Sequence, residues 1–106
     1  MEFTQLSQRA IQIRAKYALL EKKKYGKEWT REQIAEGLVG DVGDLLKLVQ
    51  AKSGIRTIDS VDEKMAHELS DCLWSVLVLA NEYGVDLEKS FTDSINELEN
   101  KIDTEM

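Results

Sequence analysis

The chain has 106 residues, of which 42% are hydrophobic and 32% are charged, and its formal net charge is −6 at pH 7. These values suit a small globular domain and exclude a disordered chain. The negative charge argues against binding to nucleic acid polymers or to membranes, because anionic partners need a basic surface. The single Cys72 excludes an internal disulfide, and no apolar run reaches the length of a membrane span. We therefore expect one soluble, cytoplasmic domain over residues 1–106.

The first predicted helix runs from about Thr4 to Lys24. Its apolar residues are spaced alternately by three and four, which places them on one stripe of a helix. The lysines of "KKKYGK" suit the negative end of the helix, and Gly26 is the expected stop. The stripe consists of Phe3, Leu6, Ala10, Ile13, Tyr17 and Leu20.

The second predicted helix opens at "TREQ", where Thr30 and Gln33 form a capping box, and it closes at Gly54. The third opens at "SVDE", which reads as another capping box, and it ends at Gly84. The predicted apolar stripe of the second helix is Ile34, Leu38, Val42, Leu45 and Val49.

The middle of the third helix, "CLWSVLVLA", is apolar nearly all round, which predicts the most buried helix. The fourth helix begins at Asp86 and carries a stripe of Leu87, Phe91, Ile95, Leu98 and Ile102. These elements predict an all-α fold, a four-helix, mostly antiparallel bundle. The wide apolar face of the third helix also predicts self-association.

The segment "GLVGDVGDLLKL" at residues 37–48 holds three glycines inside a helix. Each glycine costs about 1 kcal/mol relative to alanine in a helix interior. We expect Gly37, Gly40 and Gly43 either to permit close helix packing or to leave space for a ligand.

Asp41 and Asp44 lie three residues apart on the second helix and therefore share one face, beside the apolar stripe. Glu68 and Asp71 repeat this spacing in "HELSD", next to the apolar run of the third helix. Carboxylates beside a core lose hydration and repel one another, which is costly without a cation. If the two helices pack antiparallel, the four acids can converge on a site for Mg²⁺ or Mn²⁺.

Other metal sites are poorly supported by the residues present. With His67 as the only histidine, a di-iron site built from Glu-x-x-His pairs is excluded. One histidine and one cysteine cannot complete a tetrahedral zinc site.

Two segments resemble the motifs of the MazG-like, all-α nucleotide pyrophosphohydrolases. "LVGDVGDLLKLVQAK" is similar to the family's L-x-x-E-x-G-E-L-x-x-L motif, and "HELSDCLWSVLVLANEYGVDLEKSF" is similar to its E-L-x-D-[VC]-L-W segment. The family signature E-x-x-E…E-x-x-D reads here Asp41-x-x-Asp44, 23 intervening residues, then Glu68-x-x-Asp71. The resemblance covers roughly residues 28 to 95.

The resemblance implies a Mg²⁺-dependent enzyme, with Mn²⁺ as a second possible metal, that hydrolyses a nucleoside triphosphate to the monophosphate and diphosphate. It assigns metal binding and catalysis to Asp41, Asp44, Glu68 and Asp71. It also implies a role in nucleotide-pool house-cleaning and a homo-oligomer, either a dimer or a tetramer. Glu36 is a further candidate for orienting the attacking water.

The candidate substrate-binding residues are Trp29, which can stack on a base, and the polar residues Lys52, Asn96 and Lys101. Lys47 is another cation near the acids that can reach phosphate. A hydrophobic staple is the alternative role for Trp29, and solvent exposure is the alternative for the lysines.

The chain departs from the family at several positions. It has Asp41 and Asp44 where relatives usually carry Glu, and Ala51 where dCTP-hydrolysing relatives carry an aromatic residue. Ser94 and Leu98 align with the Lys and Asn of a K-x-x-x-N pattern. Two alternatives therefore stay open: a catalytically silent helical oligomer that acts as a binding or regulatory module, and the phosphoribosyl-ATP pyrophosphohydrolase branch of the superfamily.

Overall fold

The computed structural model describes residues 1–106 as four helices joined by short loops, with no strand. The helices are α1 (Phe3–Tyr25), α2 (Arg31–Lys52), α3 (Val61–Glu82) and α4 (Leu87–Glu105). The all-α, four-helix architecture expected from the sequence is confirmed. In none of the four does a stretch combine the length and the apolar character needed to cross a membrane.

Local sequence signals set most of the helix ends. Thr30 accepts from the backbone N–H of Gln33, whose side chain accepts in turn from the N–H of Thr30, so this capping box is confirmed. Asp86 caps α4 through the N–H of Lys89, and Gly26 ends α1 with φ at 81°. The second predicted capping box is wrong. Ser60 is in the left-handed region, with φ at 53°, and its side chain makes no cap hydrogen bond.

Helices α2 and α3 form an antiparallel hairpin, which is the best-packed part of the chain. An ion pair joins α2 to α3 at each end of the hairpin. Lys52 pairs with Asp62 at 2.8 Å, and Arg31 pairs with Glu82 at 3.1 Å. The core lies along α3, where Ser75, Leu77 and Val78 are buried. The prediction that the third helix is the most buried is therefore confirmed.

Helix α1 packs across α3 on one side of this hairpin. The Trp74 indole N–H donates to the Ala10 carbonyl at 3.3 Å, and the ring meets Tyr17 edge to face. These contacts give Trp74 a packing role, as a side chain with an apolar ring and one polar atom requires.

A largely buried ion pair between Arg14 and Glu21 fixes the loop between α1 and α2. The Arg14 guanidinium makes two hydrogen bonds to the Glu21 carboxylate and one to the Trp29 carbonyl. The Trp29 backbone N–H donates to Glu21 at 2.8 Å. The hydrogen bonds from Arg14 are the main cause of a lowered pKa at Glu21. This network holds the start of α2 against α1 and so positions the helix that carries Asp41.

The apolar stripe predicted for α2 is divided in the structure, which corrects that expectation. Within the stripe, Ile34 is buried, Leu38 and Leu45 are partly buried, and Val42 and Val49 are about half exposed. The other buried residue of α2, Leu48, was not part of the predicted stripe. The predicted stripe is wider than the surface of α2 that contacts α3. Val42 and Val49 are rotated by roughly 60–100° about the helix axis from the centre of that contact surface.

Helix α4 contributes no buried residue, and the Phe91, Ile95, Leu98 and Ile102 side chains of its apolar stripe are exposed. The glycines of α2 do not serve close packing within this chain either. A Cβ atom added at Gly40 or Gly43 would meet nothing within 4 Å, and one at Gly37 would make an ordinary 3.6 Å contact with the Trp29 ring. The other expectation, that these glycines leave space for a ligand, stays a prediction.

Candidate metal centre

Three carboxylates converge between α2 and α3. One oxygen from each of Asp41, Asp44 and Glu68 lies within 4.8 Å of the other two. The helical spacing places Asp41 and Asp44 one turn apart on α2, and the antiparallel packing of α3 brings Glu68 opposite them. Three of the four predicted metal-binding residues are thus close enough to share one cation.

The cluster is partly withdrawn from water and electrostatically unsatisfied. The Glu68 Oε2 atom is buried and has no hydrogen-bond partner. Burial raises the pKa of Asp41, and the neighbouring charges of Asp71 and Asp44 raise it further. The pKa of Glu68 is raised for the same reasons, with burial first and then Asp41. A buried carboxylate oxygen without a hydrogen-bond partner destabilises the protein. A bound proton or cation would offset this cost.

Asp71 lies outside this group of three. Its Oδ2 atom is 3.1 Å from Nε2 of His67, one turn back on α3. The Asp71 carboxylate still raises the pKa of Asp41 and of Glu68, so it contributes negative potential to the cluster. The predicted fourth ligand therefore sits beside the centre, held by the histidine.

Cys72 is the free thiol next to this cluster. Burial raises its pKa, and the charges of Asp41, Glu68 and Asp71 add to the effect. A thiol held protonated in this way is a poor nucleophile and a poor metal ligand. The centre therefore offers oxygen donors.

The donor set fits a hard divalent cation. Mg²⁺ and Mn²⁺ prefer carboxylate and water oxygens, and Mg²⁺ commonly takes only one or two protein carboxylates together with substrate phosphates. Asp41, Asp44 and Glu68 are the residues that would hold such an ion. The buried, unpartnered Glu68 oxygen is the observation that tests this fit, because a cation would satisfy it.

A cleft of about 370 Å³ opens beside the carboxylates. Its wall includes the apolar side chains of Leu48 and Ile58. The other lining residues are polar or charged: Asp44, Lys47, Glu63, Lys64, His67 and Glu68. The cleft thus places two lysines next to an acidic centre, a combination that suits a ligand with phosphate groups bridged by a cation.

The predicted substrate-binding residues lie elsewhere. None of Trp29, Lys52, Asn96 and Lys101 lines this cleft. The Trp29 ring is near Gly37, the Lys52 amine pairs with Asp62, and Asn96 and Lys101 are exposed on α4. The structure does not bring these four together, and their part in substrate binding stays a prediction.

Lys64 and Ile58 are cleft residues that the sequence reasoning missed, whereas Lys47 was among its candidates. Lys64 precedes Glu68 by four residues and so shares its face of α3, a signal that was present in the sequence. Ile58 lies in the loop before α3, and nothing in its local sequence indicated which way it would point.

Comparisons with known proteins identify the family of the chain. Residues 29–104 match the family model described as the MazG nucleotide pyrophosphohydrolase domain. The chain is also 32% identical over 74 residues to the "Gene 37 protein" of Mycobacterium phage L5, a match that covers 66% of this chain and 64% of the phage protein. The chain thus spans less than two thirds of the length of that relative. No solved structure matches.

The matched region contains all of α2 and α3, and therefore every residue of the carboxylate cluster. It extends over nearly three quarters of the sequence. The chain belongs to the MazG nucleotide pyrophosphohydrolase family.

Proposed function

We propose that this protein is a Mg²⁺-dependent nucleoside triphosphate pyrophosphohydrolase that converts a (d)NTP and water to the monophosphate and diphosphate. The observation that carries the proposal is the convergence of Asp41, Asp44 and Glu68 within 4.8 Å, with one Glu68 oxygen buried and unpartnered. Family membership supports the reaction class. A house-cleaning role in the cytoplasm and a homo-oligomeric state, dimer or tetramer, belong to the same proposal.

In this reaction a water oxygen bonds to the α-phosphorus while the bond from that phosphorus to the bridging oxygen breaks. A divalent cation, when bound, neutralises phosphate charge and lowers the pKa of a coordinated water. Asp41, Asp44 and Glu68 would hold this cation. Without it, an acidic centre would repel an acidic substrate.

The remaining cleft residues would orient the substrate. Lys47 and Lys64 place ammonium groups on the cleft wall, where they can donate to phosphate oxygens. Leu48 and Ile58 give the same cleft an apolar side that suits a base or sugar. The Asp71 carboxylate holds His67 at 3.1 Å and keeps the imidazole at the cleft.

The proposal is tested by release of diphosphate from a panel of canonical and modified (d)NTPs, with Mg²⁺, with Mn²⁺ and with EDTA. We expect release that requires the metal and that Glu68→Gln abolishes. The matched control is Glu97→Gln on α4, an exposed glutamate away from the cleft, which should leave activity unchanged.

The alternative, a catalytically silent binding module, gives a different outcome in the same assay. Folded protein that releases no diphosphate from any nucleotide, with either metal, would contradict the enzyme and favour the silent module. Release from phosphoribosyl-ATP alone would place the chain in that branch of the superfamily.

A further inference from the structure

One lysine of the cleft is held loosely by a carboxylate of the candidate metal centre. The Lys47 amine lies 4.0 Å from Oδ1 of Asp44, one helical turn earlier on α2, which is beyond hydrogen-bond distance. By contrast, the Lys52 amine at the end of the same helix donates to Asp62 at 2.8 Å. Lys47 is therefore close enough to attract Asp44 without being fixed to it.

Both groups of this pair remain in contact with water. The side chain of Lys47 is 57% exposed and that of Asp44 is 58% exposed. An ion pair as exposed as this one contributes little to stability, because water screens the attraction. Exchange of the Lys47 amine from Asp44 to another anion in the cleft therefore costs little.

Asp44 is also one of the three carboxylates that converge within 4.8 Å. Burial is the main cause of the raised pKa at Asp41 and at Glu68, and the Asp44 charge adds to it at both positions. The Lys47 amine is the one cationic group within 4.0 Å of an Asp44 oxygen. In the metal-free protein, Lys47 thus offsets part of the negative charge that a bound cation would offset.

Lys64 provides an internal comparison for Lys47. It lines the same cleft, and it lies one helical turn before Glu68 on α3. Because α2 and α3 are antiparallel, both lysines lie beyond the carboxylates, towards the loop that joins the two helices. Lys64 differs in one respect, since it forms no ion pair within 4.0 Å.

The phosphate groups of a nucleotide would change the balance at Lys47. A divalent cation in the centre would offset two of the three carboxylate charges. Lys47 and Lys64 are the only lysine or arginine side chains that line the cleft, so they are the cations available to phosphate there. A charge-assisted hydrogen bond to phosphate is stronger than an exposed ion pair at 4.0 Å.

We propose that Lys47 has two partners in turn: it is the counter-ion of Asp44 in the metal-free site, and it binds phosphate in the substrate complex. Lys47 thereby opposes metal binding to the empty site and favours it once a nucleotide is present. This makes Lys47 a positioning residue that couples the two ligands. The inference rests on the proposed function, because it takes the metal centre and the phosphate-containing substrate from it.

The test uses two calorimetric titrations of the full chain. Mg²⁺ is titrated into nucleotide-free protein, and inorganic diphosphate is then titrated into protein saturated with Mg²⁺. Inorganic diphosphate is the probe because it supplies phosphate groups without a base. We expect Lys47→Gln to bind Mg²⁺ about 2–5-fold more tightly than the wild type and diphosphate about 10-fold more weakly. A residue with only a structural role would not shift the two affinities in opposite directions.

Two variants with the same loss of charge serve as controls. Lys64→Gln should weaken diphosphate binding by a similar factor without the gain in Mg²⁺ affinity, because Lys64 has no carboxylate partner to release. Lys16→Gln removes an exposed lysine of α1 that does not line the cleft, and it should leave both affinities unchanged.

Three results would overturn the proposal. The first is a Lys47→Gln variant that binds Mg²⁺ no more tightly than the wild type. The second is a Lys47→Gln variant that binds diphosphate as tightly as the wild type. The third is an equal gain in Mg²⁺ affinity in Lys47→Gln and Lys64→Gln, which would assign the effect to overall charge.

Failure of this proposal is distinct from failure of the proposed function. If the wild type releases diphosphate from a nucleotide while Lys47→Gln shows neither shift, the coupling through Lys47 is wrong and the enzyme stands. A folded wild type that binds no Mg²⁺ would contradict both.

Discussion

The two sides of the α2·α3 hairpin are unusual for opposite reasons. One side has partly buried carboxylates, and the other has exposed apolar side chains. On one side, Asp41 and Glu68 are partly buried, and one oxygen of Glu68 is buried without a hydrogen-bond partner. The other leaves Val39 72% exposed and Leu73 51% exposed. Charged groups normally stay hydrated, and large contiguous apolar patches normally stay covered.

This difference shows that each side lacks a different kind of partner. Carboxylates that repel one another in a partly dry site need positive charge, and an uncharged apolar face needs another apolar surface. The same two helices can serve both needs because a helix has several faces, each with its own partner. A cation and a nucleotide would supply the positive charge and the ligand that the carboxylate side lacks.

Among residues outside the group of three carboxylates, the largest effect is expected at Asp71, which lies beside the centre. Asp71→Asn removes the charge that holds His67 while keeping the side-chain size. Diphosphate release should fall about 10–100-fold, as is usual for residues that orient a metal site, and metal affinity should fall less than in Glu68→Gln. A loss in Asp71→Asn as complete as in Glu68→Gln would show that Asp71 is itself a ligand.

Val78 and Val76 allow the same substitution to be compared in the core and on the exposed apolar surface of α3. Val78 is 2% exposed and Val76 is 37% exposed. Val78→Ala should lower the free energy of unfolding by about 2 kcal/mol, through lost burial and a cavity.

Val76→Ala should cost less than about 1 kcal/mol in dilute, dissociated protein. Its cost should grow at concentrations where the subunits associate. Urea unfolding at two protein concentrations measures both variants. Equal costs for Val78 and Val76 under dilute conditions would contradict the burial described here.

The pH dependence of stability distinguishes the carboxylate side from the rest of the chain. Asp41 and Glu68 have a raised pKa in the folded protein, against ordinary values of 3.8 and 4.5. Their contribution to the stability of metal-free protein is therefore complete below those values and is lost as the pH rises through the raised values.

Asp41→Asn should reduce this loss, so the metal-free variant should be more stable than the wild type at neutral pH. A gain of about 1 kcal/mol corresponds to roughly 4–8 °C in the thermal midpoint of a domain of this size. The comparison is made by thermal melts in EDTA from pH 4 to pH 8. Curves that stay parallel across this range would contradict the raised pKa at Asp41.

The smallest effect is expected at Gly40. A Cβ atom there meets nothing within 4 Å, so Gly40→Ala should stabilise the helix by about 0.5–1 kcal/mol. Urea unfolding of Gly40→Ala beside the wild type measures this gain. A loss of stability in the variant would contradict the open space described at Gly40.

The sequence predicted the features that depend on local signals. The first helix was expected from about Thr4 to Lys24 and runs from Phe3 to Tyr25, because its periodicity and its Gly26 stop are local. The proximity of Asp41 and Glu68 was predicted from the i, i+3 spacing of the acids on each helix. It also required the assumption that the two helices pack antiparallel.

Tertiary features escaped the sequence reasoning. The left-handed backbone of Ser60, which removes the expected cap, depends on the loop from which α3 starts. The exposure of Val42 depends on the angle at which α2 meets α3. The Lys64 side chain was assigned no role, because the cleft it lines exists only once the loop with Ile58 has folded beside it.

The measurement that tests the central claim most directly is calorimetric titration of Mg²⁺ into nucleotide-free protein, with Asp41→Asn as the variant. We predict saturable binding to the wild type and loss of that binding in Asp41→Asn. Binding that is unchanged in Asp41→Asn, or no binding to folded wild-type protein with or without nucleotide, would contradict the claim that these carboxylates form a metal centre.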